Sequence, residues 1–151
     1  MIFFCKGALE TVRKFGWAPD IIHCFGWMTS LIPMYLKTTY KDDPNFTNTK
    51  VVYSVDKNEF KDKLKNDFTV KAAISEDISK KHLDFFKDGD NTSLNIGGVQ
   101  FADGLVVGDA VDDKVASHLK KAKGKQVLKM DSTEEDPLNM LNKFYQNILA
   151  N

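Results

Sequence analysis

Apolar residues recur at three- and four-residue steps through Cys5, Ala8, Leu9, Val12 and Phe15. That spacing marks one face of a helix over 2–15, which Gly16 ends. Ala18-Pro19-Asp20 reads as a turn. Ile21-Ile22-His23-Cys24-Phe25 follows as a short strand, mostly apolar on both faces as in a buried parallel sheet, and Gly26 closes it. A second helix is expected over 29–40, capped by Thr29 or Ser30, with Pro33 in or near the first turn where a missing N–H costs least. Asp42-Asp43-Pro44-Asn45 breaks the pattern before a strand over 51–55.

From Asp56 to Asp103 the text is mainly polar. Ser75 followed by Glu76 and Asp77 predicts a helix start with acidic side chains near the positive end of the dipole; Ile78, Leu83, Phe85 and Phe86 would form its buried side. Asp88-Gly89-Asp90-Asn91 is a turn, and 93–101 reads as a short helix weakened by Gly97-Gly98. Leu105-Val106-Val107, closed by Gly108, is a strand. Asp112 or Asp113 caps a helix through Leu119 to Ala122 that ends at Gly124, and Gln126-Val127-Leu128 is a further strand. Asp136-Pro137 opens a last helix bearing Leu138, Leu141, Phe144, Tyr145 and Ile148. Strands alternating with helices predict right-handed βαβ units. The expected fold is therefore α/β, a doubly wound, Rossmann-like parallel sheet, in one domain over 1–151.

The 151 residues, 42% of them hydrophobic and 28% charged, are enough for one domain with a sizeable core. Lys+Arg and Asp+Glu both number 21, so no basic excess favours nucleic acid or an anionic membrane as partner. The longest apolar runs, such as 1–5, are too short to span a bilayer, and no basic leader precedes that run. Cys5 and Cys24 imply no disulfide framework and point to a reducing cytoplasm. Three scattered histidines and two distant cysteines make no zinc site, and no Walker motif, Gly-x-Ser-x-Gly elbow or Cys-x-x-Cys occurs. No metal or cofactor is expected.

In an open parallel sheet, ligands bind beyond the carboxyl ends of the strands. Three segments lie there: 23–28, 54–57 and 108–109. The cleft candidates are therefore His23, Phe25, Gly26, Trp27, Met28, Asp56 and Asp109. Backbone N–H groups at the start of the second helix could hold an anion. Ahead of that reading, Phe25 and Trp27 read as core or cover, and Gly26 as a tight turn. His23, inside a strand, reads as a satisfied buried histidine before it reads as a base; His82 and His118, amid lysines, read as solvated. Asp112-Asp113 and Glu134-Glu135-Asp136 are better explained as helix caps than as catalytic pairs. No residue is assigned as catalytic.

The stretch Trp17-Ala18-Pro19-Asp20-Ile21-Ile22-His23-Cys24-Phe25-Gly26-Trp27-Met28, followed by Pro33-Met34-Tyr35-Leu36-Lys37, resembles bacterial glycogen synthases and plant starch synthases. Those proteins carry W-x-P-D-(I/V)-(I/V)-H-x-H-D-W-H and then P-x-Y-L-K. Lys50 to Val55 and Phe101 to Gly108 look like two later strands of the same family. The resemblance implies a GT-B fold and transfer of glucose from ADP-glucose to an α-1,4-glucan, with the segment from Asp20 to Ser30 lining the acceptor and sugar side. It makes this chain a C-terminal portion of the family's N-terminal domain. The family's Lys-x-Gly-Gly-Leu loop would precede Met1, and its second domain would follow residue 151.

His23 and Trp27 match the motif, but Phe25, Gly26 and Met28 stand where it has histidine, aspartate and histidine. Asp56 and Lys57 replace a histidine and an asparagine. Phe25 and Met28 cannot exchange protons or donate to a sugar hydroxyl, so turnover by this chain alone is not expected. The implied partners are an α-glucan or ADP-glucose, weakly held. The strand over 21–25 would also lack its family neighbour, leaving an apolar edge through which the chain is expected to form a homo-oligomer. A non-catalytic α/β binding or assembly module stays open as the alternative.

Overall fold

The computed structural model describes residues 1–56, 61–122, 124–130, 133 and 135–150. Helix α1, Ile2–Lys14, buries Cys5 and Leu9 and ends where Gly16 adopts φ 64°. Phe15, the expected last member of its apolar stripe, is 82% exposed. It is the C-cap residue, and its N–H bonds the Thr11 carbonyl, so its side chain leaves the buried face.

Strand β1, Ile21–Phe25, runs into Gly26 (φ 73°), a 3-10 turn over Trp27–Thr29, and helix α2, Leu31–Lys37. The helix expected over 29–40 is thus shorter at both ends. Thr38 leaves the helical region and turns its hydroxyl back to the Met34 carbonyl at 2.7 Å, the local competition that weakens threonine in helices. Ser30 holds the N-cap position, but its buried hydroxyl makes no cap bond; the Thr29 hydroxyl instead reaches the Phe25 and Gly26 carbonyls.

Strand β2 is Lys50–Val55, followed by the short helices α3, Phe68–Ala72, and α4, Lys80–Leu83, then a 3-10 turn over Asp84–Phe86. The helix expected to start at Ser75 starts after Ser79, where the His82 ring accepts the Ser79 N–H at 3.2 Å and completes a capping box. Ser75 spends its hydroxyl on Thr39 instead. Helix α5, Asn91–Phe101, opens two residues earlier than the sequence suggests because the Asp90 carboxylate accepts the Ser93 N–H. Strand β3, Gly104–Val107, helix α6, Asp113–Lys121, strand β4, Gln126–Lys129, and helix α7, Pro137–Leu149, complete the order. Asp112 and Asp136 cap the last two helices as expected. Leu138, though, points to solvent.

The four strands are all parallel, in the order β1-β2-β3-β4. Alternate residues of β2 divide the core. Val51, Tyr53 and Val55 pack with α1, α2, α5 and α6 on one face; Val52, with Val106, meets Phe144 and Ile148 of α7 on the other. A parallel sheet covered on both faces is the Rossmann-like arrangement the alternation predicts. Gly97 and Gly98 do not weaken α5 idly. A Cβ at 97 would lie 2.0 Å from the Phe86 ring and one at 98 would lie 2.5 Å from the Tyr53 ring, so the glycines let both rings lie against the helix.

Polar groups tie the end of the sheet opposite the strand tips. Asp103 accepts the Val51 N–H at 2.8 Å and both oxygens receive Lys37 Nζ at 2.7 and 2.8 Å. Lys125 Nζ donates to the carbonyls of Val99, Gln100 and Ala102, closing the C-terminus of α5. Among the described residues no helix is long and apolar enough to cross a membrane.

Candidate functional site

A cleft of about 700 Å³ opens at the carboxyl ends of β1, β2 and β3. The end of β1 supplies His23 and Phe25, and the turn after it Gly26 and Trp27. The β2 end adds Ser54 and Asp56, and the β3 end Gly108 and Asp109. Positive φ at Gly26 makes the turn that brings Trp27 to the wall. Asp56 lies over Gly108, where an added Cβ would come within 2.9 Å of its carboxylate. Of the seven candidates read from the sequence, six line this one cleft. Met28 does not: its side chain is exposed outside the lining, and its carbonyl accepts the Cys5 thiol at 3.0 Å. Lys57 and Glu134 lie outside the described residues.

His23 is fully engaged. Its Nδ1 lies 2.5 Å from the Tyr145 hydroxyl and its Nε2 lies 2.8 Å from the Ser54 hydroxyl. Its ring stacks on that of Phe25, with centroids 4.0 Å apart. Burial pushes the imidazole down to about 4 from its usual 6.5, so it is neutral at physiological pH. This is the satisfied histidine that a strand position suggests. Phe25 serves as its outer cover and is itself 61% exposed. The other histidines are less solvated than their lysine-rich surroundings imply. His82 closes the α4 cap, and His118, half-buried beside Gln100, is held below its usual range by burial first and by Lys121 and Lys125 after it.

Four further residues join the site. Asn91 and Asn95 come from the first turns of α5 and line the cleft. Asn95 is held by the Tyr53 hydroxyl, which donates to its Oδ1 at 2.9 Å, and its amide donates to the Asn91 carbonyl. Their four-residue spacing after Asp90 is the available signal, which a helix expected over 93–101 conceals. Leu141 lines the far side and Tyr145, four residues on and hence on the same face of α7, reaches His23. No Lys or Arg is among the described lining residues. The anion expected at the helix start would thus rest on backbone N–H groups without a cationic side chain among the described residues. What the cleft presents is two carboxylates, two amides, a hydroxyl and aromatic faces.

The family model for the starch synthase catalytic domain matches residues 1–128. The chain is 34% identical over 103 residues to a glycogen synthase of Chlorobium limicola and 31% identical over 104 residues to one of Desulforudis audaxviator. Each match covers 68% of this chain and 20% of the relative. A 54-residue stretch is 48% identical to the glycogen synthase of Thermotoga maritima, covering 36% of this chain and 11% of that protein. The chain thus spans about a fifth of the length of the first two relatives. No solved structure matches it significantly. With the motif segment folded as a parallel strand tip and most of the chain covered by the match, the chain belongs to the starch synthase catalytic-domain family.

Proposed function

We propose that the cleft binds the neutral sugar units of an α-glucan and that this chain does not by itself transfer glucose. The observation that carries the reading is the lining: Asp56, Asp109, Asn91, Asn95 and Ser54 beside Trp27 and Phe25, with no Lys or Arg among the described lining residues. Carboxylates and amides exchange hydrogen bonds with sugar hydroxyls, and aromatic faces cover sugar C–H groups. A nucleoside diphosphate needs cations, and the described lining residues supply none. Glucosyl transfer from ADP-glucose, the activity the family resemblance implies, also needs proton-bearing groups, and Phe25 and Met28 occupy the positions where the motif carries them.

The chain is read as one Rossmann-like domain, a portion of the family's N-terminal domain. It associates with a second copy through the open edge of β1. Both thiols are buried and free, the state that a reducing cytoplasm maintains.

Isothermal titration with a linear maltooligosaccharide, ADP and ADP-glucose, alongside a glycogen-extension assay, tests the reading. Saccharide binding without measurable ADP binding or extension is expected. ADP binding tighter than saccharide binding, or any extension, overturns it. Silence on all ligands with a stable oligomer would favour the assembly module instead.

A further inference from the structure

The cleft wall contains a chain of three polar groups drawn from three distant parts of the sequence: Tyr145 on α7, His23 on β1 and Ser54 on β2. The neutral imidazole has one N–H and one lone pair, so exactly one of its two hydroxyl neighbours must donate to it and the other must accept. A phenol is a far stronger acid than a serine hydroxyl and hence the better donor. With the phenol as the donor, Nδ1 accepts from Tyr145 and Nε2–H donates to Ser54 Oγ at 2.8 Å. Ser54 then has its own hydrogen left over, at the cleft wall.

We propose that Tyr145 is a positioning residue that, through the tautomer of His23, makes Ser54 a hydrogen-bond donor to a ligand oxygen in the cleft. Tyr145 lies outside residues 1–128, the part matched by the family model, so this setting of the motif histidine comes from a helix the family match does not include. The ligand here is the neutral glucan of the proposal above, and this step rests on that reading. The pattern of groups then divides cleanly. Asp56 and Asp109 accept from sugar hydroxyls, and Ser54 supplies the complementary donor to a hydroxyl or ring oxygen.

The tautomer is read first, in the ligand-free full chain, by nitrogen-15 NMR of the imidazole near neutral pH. A bare Nδ1 and a proton-bearing Nε2 are expected; a proton on Nδ1 overturns the proposal and needs no variant to show it. Binding of a linear maltooligosaccharide is then compared in four proteins. Ser54→Ala is expected to weaken it about three- to tenfold, the value of one hydrogen bond. Tyr145→Phe keeps the ring in place and is expected to weaken it by a smaller factor while mixing the two tautomers. The double variant should be no weaker than Ser54→Ala alone, because Tyr145 acts only through Ser54; losses that simply multiply overturn the proposal. If the unaltered chain shows the expected tautomer and binds no saccharide, the glucan reading has failed and the relay stands.

Discussion

His23 sits in a partly water-excluded place where its charged form is disfavoured, and this gives the protein an acid-sensitive term. The sign follows from proton binding. The unfolded chain takes up a proton on this ring near 6.5, the folded chain only near 4, so between those values the unfolded state binds more protons and stability falls as pH falls. The contribution is fully present above about 6.5 and is lost progressively down to about 4, below which the loss levels off. A displacement of this size corresponds to at most about 3 kcal/mol. Because the ring is partly open to water, about 1–2 kcal/mol is expected. Urea midpoints at pH 7 and pH 4.5 should therefore drop further for the unaltered chain than for His23→Gln. Equal drops would show that burial of this ring does not govern the acid response. His118, lowered in the same direction, is common to both proteins and cancels in the comparison. At this scale the sequence shows which residue types stand at the strand ends, but not their partners. Tyr145 is 122 positions from His23, and only the docking of α7 on the sheet brings them together.

The helices and strands make the same point through glycine. Gly7 lies inside α1 with nothing within 4 Å of where a Cβ would sit, whereas Gly98 lies inside α5 with the buried Tyr53 ring at 2.5 Å. Replacing glycine by alanine in a helix interior gains about 0.5–1 kcal/mol from backbone entropy. At position 7 that gain stands alone, and Gly7→Ala should raise the chemical-denaturation midpoint. At position 98 it is opposed by overpacking of about 1–3 kcal/mol, because a ring with its hydroxyl bonded to Asn95 cannot retreat freely. Gly98→Ala should lower the midpoint; a midpoint that rises at both positions would mean that the Tyr53 contact yields without cost. A reading by propensity treats the two glycines alike, which is why Gly97-Gly98 looked like a weakness in the sequence. Boundaries set by local signals were legible: Gly16 after α1, Gly26 after β1, Asp136-Pro137 before α7. Boundaries set by competition between neighbouring side chains were not. Ser75 and Ser79 are both plausible caps, and only Ser79 is free to cap because Ser75 bonds Thr39. Six cleft residues could be placed because strand ends in a parallel sheet lie together whatever their side chains. Met28, in the 3-10 turn that follows β1, lies outside the cleft lining.

For the molecule as a whole, the open side of the sheet and the charge balance act together. Among the described strands β1 pairs only with β2. Asp20 gives its carbonyl to Lys50, so by the alternation of the ladder Ile22 and Cys24 also face β2, and the backbone groups of Ile21 and His23 face away from it. Guarded edges carry a lysine, a proline or a bulge within the strand; Ile21-Ile22-His23-Cys24-Phe25 has none, and ends in an exposed phenylalanine. Phe3, Phe15 and Trp17 are exposed in the same N-terminal part of the chain. Lys+Arg and Asp+Glu are equal at 21, so no net charge holds two copies apart. Two copies related by a two-fold axis can join at this edge only with their β1 strands antiparallel, which would extend four strands to a continuous sheet of eight. Sedimentation at micromolar concentration should therefore report a dimer. Because backbone pairing and apolar contact hold it, raising the salt concentration should not dissociate it. Phe25→Lys places a charge at the end of the edge and should shift the population toward monomer. A chain that is monomeric at those concentrations, with β1 amides facing away from β2 exchanging as freely as solvent-exposed ones, would show that this edge stays solvated and does not recruit a partner.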